Sequence, residues 1–181
     1  MKKLLLILLC LPMIGFGQFT MIPDANFEQK LINLGYDNGA INGSVYTAMI
    51  NTITSLDVEY SNISDLTGIE DFTALTYLNC NSNQLTSLDV SQNTALTYLY
   101  CYSNQLTSLD VSQNTALIDL NCHINQITSL DVSANTALIN LYCLLNQLTS
   151  LDVSGATALT TLWCWDNQLT SLDVSQNTAL Y

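Results

Sequence analysis

The sequence predicts an α/β-type solenoid that is mostly β, built from stacked coils of one constant length behind a small helical N-terminal cap. The first observation behind this prediction is a period. Leu75 recurs at a constant interval along the chain, at Leu96, Leu117, Leu138, Leu159 and Leu180. The second is that one copy is too short to bury its own apolar face, so its stability must come from packing against neighbouring copies.

The repeat unit is typified by LTYLNCNSNQLTSLDVSQNTA, which begins at Leu75. We place repeat starts at 53, 75, 96, 117, 138 and 159, so that the repeats cover residues 53–181 and a further copy is truncated at 180. The copy that begins at Ile53 is degenerate and slightly longer than the rest. Two other columns keep the same 21-residue period: Cys80, Cys101, Cys122, Cys143 and Cys164, and Asn83, Asn104, Asn125, Asn146 and Asn167.

Alternation within the unit predicts which side chains are buried. In a strand through Leu78, successive side chains point to opposite faces, so Leu78 and Cys80 point inward while Tyr77, Asn79 and Asn81 point outward. The residues expected to fill the core from the opposite wall are Leu85, Leu88 and Val90, with Ala95 where space is tight.

The pattern LxxLxCxxNxLTSLDVSxxTA resembles the leucine-rich-repeat family, whose hallmark is LxxLxLxxNxL. The resemblance implies a right-handed superhelix in which the LxL segments form a parallel β-sheet on the concave side. It covers about 53–181. Cysteine at the position that is usually aliphatic resembles, more narrowly, the cysteine-ladder (internalin J-like) type of bacterial internalin.

The N-terminal segment IPDANFEQKLINLG is similar to the caps of secreted leucine-rich-repeat surface proteins of Bacteroidetes. Residues 18–52 are the predicted cap: Asp24 begins a helix, Phe27, Leu31 and Leu34 share its apolar face, and Gly35 ends it. These resemblances imply a surface-exposed recognition protein.

Residues 1–17 read as a secretory signal peptide, since a short basic segment is followed by a short apolar run and small residues. The run is too short for a stable membrane insertion. We therefore expect a protein that is secreted or held at the outer cell surface of a bacterium. Because the chain stops one residue into a new repeat, with no capping element, we also expect it to be part of a longer protein.

Charge excludes some partners. Without residues 1–17 the chain has one cation, Lys30, against 15 carboxylates, a net charge near −14. Nucleic acids and anionic membranes are bound by Lys and Arg, so neither is an expected partner.

The Asn and Cys columns have structural interpretations. An Asn amide where the chain leaves the strand can satisfy unpaired backbone groups, repeated as a ladder. Cysteines in one inward column would stack about 4.8 Å apart with parallel Cα–Cβ vectors, which does not suit a disulfide. A single cysteine in each repeat does not resemble the close pairs of zinc sites either. We interpret the cysteines as buried thiols.

A column of carboxylates, formed by Asp89, Asp110, Asp131, Asp152 and Asp173, requires something that offsets its repulsion. Hydrogen bonds from nearby Ser hydroxyls or turn N–H groups are one interpretation, and calcium bound along the column is the alternative. His123 falls at an outward position with no nucleophile nearby, which indicates a surface contact rather than a catalytic triad.

The copies differ mainly at the outward strand positions, which we call the sheet face. Seven aromatic residues lie there, and none is required by the repeat: Tyr77, Tyr98, Tyr100, Tyr102, Tyr142, Trp163 and Trp165, with His123 beside them. Exposed aromatic patches often mark binding sites. The alternative is that the tyrosines stabilise the sheet by stacking.

Two functions remain open. One is recognition or adhesion, with the sheet face gripping a protein or carbohydrate ligand. The other is an architectural stalk that displays domains absent from this sequence. Because no repeat breaks the pattern to build a pocket with converging acid, base or metal ligands, we predict a protein that is not an enzyme and needs no cofactor.

Overall fold

The computed structural model describes residues 18–181, and over this range the chain is a mostly β solenoid. Six short strands, one per coil, form a parallel sheet. They are β3 (Ser55–Asp57), β4 (Tyr77–Asn79), β5 (Tyr98–Tyr100), β6 (Asp119–Asn121), β8 (Asn140–Tyr142) and β10 (Thr161–Trp163). The predicted fold class is thereby confirmed.

The strands pair in an unshifted register, so equivalent residues of successive coils are neighbours. Leu78 is paired with Leu56 on one side and with Leu99 on the other. A one-residue slip would move every inward leucine to the outer face, so the apolar pattern specifies this register. Two further strands, β7 (Ser129–Asp131) and β9 (Ser150–Asp152), pair in parallel elsewhere on the coils.

The core is continuous along the solenoid and repeats once per coil. Leu75, Leu78, Cys80, Leu85 and Val90 are all fully buried, as are their equivalents in the next two coils. Burying a Leu or Val side chain contributes about 1.5–3 kcal/mol relative to leaving it exposed. The buried residues of successive coils form one continuous cluster, so the coils stabilise one another.

The cap consists of β1 (Phe19–Met21) and β2 (Ser44–Tyr46), which pair antiparallel, and two helices, α1 (Ala25–Asn33) and α2 (Thr47–Ile50). Phe27 of α1 is fully buried and lies 6.3 Å, between ring centroids, from Phe72 of the first coil. Leu31 is also buried, but the prediction for Leu34 is wrong: the helix ends at Asn33, and Leu34 is exposed.

Asp24 fixes the cap to the first coil with both carboxylate oxygens. Oδ1 accepts hydrogen bonds from the N–H groups of Asn26 (2.8 Å) and Phe27 (3.1 Å), which caps α1. Oδ2 accepts from the N–H and hydroxyl of Ser64, at 2.7 and 2.8 Å. Burial alone would raise the pKa of Asp24, but these bonds outweigh it and lower that pKa.

The residue that is buried in the turn on the far side of each coil is not the one that the sequence predicted. Ala95 is exposed, so the prediction that it fills a tight part of the core is wrong. The buried residue is Asn93, two positions earlier, and its amide donates to the carbonyls of Ile69 (2.8 Å) and Phe72 (3.2 Å) in the preceding coil. Asn114, Asn135 and Asn177 repeat this arrangement.

Within residues 18–181, none of the helices has the length and apolar character that crossing a membrane requires. The predicted signal peptide at 1–17 lies outside the described residues.

Candidate functional site

The sheet face is formed by three columns of outward side chains. The pairing of β3 to β10 lines up the first column, Ser55, Tyr77, Tyr98, Asp119, Asn140 and Thr161. The same pairing lines up the second, Asp57, Asn79, Tyr100, Asn121, Tyr142 and Trp163. The third lies just past the strand ends, at Glu59, Asn81, Tyr102, His123, Leu144 and Trp165. All eight residues that the sequence assigned to binding are in these columns.

The rings on the sheet face contact one another across strands. The Tyr77 ring lies 6.3 Å from that of Tyr98 and 5.6 Å from that of Tyr100, the latter edge to face at 84°. Tyr142 and Trp163 are also edge to face, at 5.2 Å and 88°. Offset and edge-to-face contacts stabilise aromatic pairs, so part of the role of these tyrosines is to brace the sheet.

His123 belongs to this aromatic array rather than to a catalytic group. Its ring stacks on that of Tyr102 with centroids 4.5 Å apart and an angle of 12°, and its Nδ1 contacts the Asn121 side chain. Burial lowers the pKa of His123. The imidazole is therefore mainly neutral at pH 7.

The rings of the sheet face differ in exposure. Tyr77, Tyr100, Tyr102 and Tyr142 are half-buried, and Tyr98 is 38% exposed. Trp163 and Trp165 belong to the last strand of the sheet and the residues just past it, and they are 52% and 54% exposed. Aromatic rings such as these bury a large apolar area when a partner covers them.

A polar network at the opposite end of the sheet face was missed by sequence reasoning. The amide of Asn79 donates to Asp57 Oδ2 (3.3 Å) and Glu59 Oε2 (3.2 Å), and that of Asn81 donates to Glu59 Oε2 at 2.9 Å. Asn79 and Asn81 point outward as predicted, but they are buried beneath their neighbours. The signal was present in the degenerate first repeat, where Asp57 and Glu59 are two residues apart.

Asp119 gives the middle of the sheet face its charge. Its Oδ2 accepts a hydrogen bond from the Asn140 amide at 2.9 Å, yet burial raises the pKa of Asp119. Burial, together with the Asp119 carboxylate, raises the pKa of Tyr100 to about 12. No Lys or Arg of residues 18–181 lies on this face, since the one cation in that range, Lys30, is in α1.

Beneath the sheet face runs the cysteine column. Cys80, Cys101, Cys122 and Cys143 are buried, Cys164 is half-buried, and all five are free thiols. Burial raises the pKa of Cys80 to about 12 and holds that of Cys101 and Cys122 well above the ordinary value. Such thiols are poor nucleophiles and pack as small apolar side chains.

Comparison with known proteins finds a matched structure that is itself described as having a cysteine ladder. No protein-family model matches the chain. Internalin J of Listeria monocytogenes serotype 4b (strain F2365) is 44% identical over 71 residues, which are 39% of this chain. A solved structure described as the functional domain of InlJ from Listeria monocytogenes, including a cysteine ladder, is 42% identical over 91% of this chain, with a TM-score of 0.69. The chain is an internalin-like leucine-rich-repeat protein.

Two further structures support the fold of this internalin-like protein. An internalin (inlF) from Listeria monocytogenes strain 4b F2365 is 27% identical over 89% of the chain, with a TM-score of 0.79. A leucine-rich-repeat protein of Leptospira interrogans has a TM-score of 0.68 at 23% identity over 74% of the chain. The chain spans 8% of internalin J and 42% and 49% of the two solved internalin chains. The predicted Bacteroidetes type stays a prediction.

The asparagine column of the internalin-like coils ties each coil to the one before. Asn104 Oδ1 accepts from the N–H of Leu85 (3.0 Å), and its amide donates to the carbonyl of Cys80 (3.0 Å), both in the preceding coil. The amide also donates to the carbonyl of Cys101 in its own coil (3.1 Å). Asn83, Asn125, Asn146 and Asn167 bond in the same way.

The aspartate column ends in tight turns. Each Asp accepts, through Oδ1, a hydrogen bond from the N–H of the Ser two residues later, as in Asp110 to Ser112 at 2.9 Å. Bonds to Ser112 lower the pKa of Asp110, and the equivalent bonds lower that of Asp89, Asp152 and Asp173. Across residues 18–181 no group of three or more His, Cys, Asp or Glu side chains is placed to hold a metal ion. The bonding to Ser supports the first interpretation of this column.

The two kinds of carboxylate predict opposite responses to pH. Because the folded-state pKa of Asp119 is raised, its stabilising contribution is present at low pH and lost as the pH rises through that value. We expect Asp119→Asn to raise the melting temperature (Tm) by about 2 °C at pH 7 and to leave it unchanged at pH 3. For Asp110, whose pKa is lowered, the contribution is present above the ordinary value and lost on acidification.

The matched variant Asp110→Asn should therefore lower the Tm at pH 7 and have a smaller effect at pH 3. Thermal melts monitored by circular dichroism at both pH values check the pair. A fall in Tm for both variants at pH 7 would contradict the assignment for Asp119.

Proposed function

We propose that this internalin-like protein is a recognition or adhesion module, secreted or displayed at a bacterial surface, that binds a protein partner through the sheet face. One observation carries the proposal. Seven of the outward side chains on this face, at positions that the repeat does not need for its core, are aromatic, and they include both tryptophans of the chain, Trp163 and Trp165. Protein–protein interfaces are enriched in aromatic side chains of this kind.

Rigidity supports the same proposal. The rings stand on a sheet whose strands are fixed by ladder bonds and by the asparagine columns, and several rings brace one another. A preorganised surface loses little conformational entropy when a partner binds. The bracing role of the tyrosines and a binding role therefore do not exclude each other.

The negative charge of the sheet face indicates the charge that a partner surface should carry. The sheet face carries Asp57, Glu59 and Asp119, and no Lys or Arg of the described chain offsets them there. Complementary potentials favour a partner surface that is neutral to basic, and they disfavour nucleic acids and anionic membranes. The chemistry that we assign is non-catalytic, since the buried thiols are poor nucleophiles and His123 is stacked.

The proposal is tested with Trp163→Ser/Trp165→Ser. Binding is measured by biolayer interferometry against an array of purified extracellular proteins and, in parallel, a glycan array. Loss of two hot-spot tryptophans costs at least about 2 kcal/mol, so we expect a roughly 30-fold or greater loss of affinity for the protein ligand. The control is Tyr46→Ser, which removes a ring of similar exposure from the cap.

A stalk would keep its full activity in the double variant, and that result would overturn the proposal. Binding confined to the glycan array would overturn the choice of a protein partner. The Tm of the double variant, measured beside each binding experiment, separates a lost contact from a lost fold.

A further inference from the structure

The residue before each ladder asparagine has a left-handed backbone. These residues form a column along one flank of the sheet face, Ser82, Ser103, Ile124, Leu145 and Asp166, with φ angles of 51 to 53°. The turn that sends the following Asn into the core requires this conformation. Small polar residues tolerate it, but a bulky or β-branched side chain is an outlier there.

Ile124 and Leu145 therefore contradict the local preference of the backbone. They are also exposed, by 45% and 39%, so burial does not compensate for the strain. Three other coils place Ser82, Ser103 and Asp166 at the same position, and the first coil places the exposed Tyr60 there, with a φ of 50°. An apolar side chain that is exposed to water on a left-handed backbone is unfavourable for both solvation and backbone conformation, which indicates a role in binding rather than in folding.

The two residues are neighbours and continue the most exposed part of the sheet face. The N–H of Ile124 donates to the carbonyl of Leu144 (3.2 Å), and that of Leu145 donates to the carbonyl of Trp165 (3.1 Å). Ile124, Leu145 and Trp165 thus lie on three successive coils. We call these three residues the flank patch.

We infer that the flank patch is an apolar anchor point for the partner protein, and that it takes an apolar side chain surrounded by Lys or Arg. The inference rests on the proposed function and specifies the partner's contact surface. Charge complementarity supports it, because Asp166 follows the patch in the same column and Asp119 lies in the coil of Ile124, whereas Lys30 is the sole cation of residues 18–181.

The diagnostic variant is Ile124→Asn/Leu145→Asn, because Asn tolerates the left-handed backbone better than Ile or Leu. We expect its Tm to rise while its affinity for the partner falls. A purely structural role cannot give this combination, since residues that hold the fold together lower the Tm when they are replaced. Ser82→Asn/Ser103→Asn is the matched control, at the same backbone position on coils without the patch.

The probe is a set of synthetic 12-residue peptides with a central Leu flanked by lysines, beside peptides with a central Ser and peptides flanked by glutamates. Binding to the full chain is measured by fluorescence anisotropy. We expect the Leu/Lys peptides to bind in preference to both matched sets, the Ile124→Asn/Leu145→Asn variant to bind them at least ten-fold more weakly, and the Ser82→Asn/Ser103→Asn control to bind as the parent chain does.

Several results overturn the inference. They are an unchanged affinity in the flank variant, a fall in its Tm, or no preference for the Leu/Lys peptides. Trp163→Ser distinguishes this failure from failure of the proposed function, because Trp163 lies on the sheet face but outside the flank patch. If Trp163→Ser weakens binding to the protein ligand and the flank variant does not, the function stands and the inference falls. If neither weakens it, both fall.

Discussion

Replacing Asn104 with alanine is expected to lower the Tm by roughly 10 °C. The substitution removes the acceptor of the Leu85 N–H and the donor to the carbonyls of Cys80 and Cys101. These groups are buried, and a buried polar group left without a partner costs about 1–3 kcal/mol. With several such groups, the free energy of unfolding should fall by about 3–5 kcal/mol. Differential scanning calorimetry measures the change.

Asn167→Ala is the matched control for this prediction. Asn167 makes the same bonds, to the N–H of Leu148 and the carbonyls of Cys143 and Cys164, but it is half-exposed. Water can replace its amide, so we expect a smaller loss of stability. Equal losses in the two variants would show that burial of the ladder is not what makes it stabilising.

Gly155→Ala is the second substitution with a large expected effect. A Cβ atom at Gly155 would lie 1.8 Å from the carbonyl oxygen of Ser133 in the preceding coil, so the backbone of one coil must move. Overpacking of this kind costs about 1–3 kcal/mol, which corresponds to a Tm lowered by about 6 °C. Urea unfolding at constant temperature measures the loss of free energy directly.

Ala134→Gly tests whether the effect belongs to the close approach rather than to the repeat position. Ala134 occupies the equivalent position one coil earlier, and it is exposed. We expect that variant to lose less than about 1 kcal/mol, the usual cost of added backbone freedom. If Gly155→Ala is as mild as Ala134→Gly, the coils do not approach each other as closely as the structure shows.

The fold could be predicted because one period constrains every coil at once. Leu78 and Cys80 point inward in a strand, and their recurrence once in every repeat requires parallel pairing in register. The cap followed from Asp24 and Gly35, whose local chemistry begins and ends a helix. These features depend on residues close together in sequence.

The predictions that were wrong or incomplete concern contacts between coils. Asn93 stands in the polar run Ser-Gln-Asn-Thr, which reads as a surface turn, and only the carbonyls of the preceding coil explain its burial. Its recurrence at Asn114 and Asn135 was the available signal, and Ala95, beside it in sequence, was taken for the tight position instead. The Asp57 and Glu59 network was missed because the first repeat is one residue longer than the others.

The sheet face was located by the same alternation that located the core, and its aromatic residues lie together as predicted. Whether they bind a partner stays a prediction. The flank patch was not foreseen, because Ser82 and Ser103 give no indication that their position requires a left-handed backbone. The positive φ angle of Ile124 is what distinguishes it from an ordinary surface residue.

Both asparagine columns bond backward along the chain, and this gives the solenoid an order of assembly. The carbonyl of Cys80 accepts a hydrogen bond from the amide of Asn104, and the carbonyl of Val90 accepts one from Asn114, each 24 residues later in the chain. During synthesis, therefore, a coil becomes complete only after the next one has left the ribosome. We therefore expect the solenoid to fold from its N-terminal end, with each newly synthesised coil stabilising the coil before it.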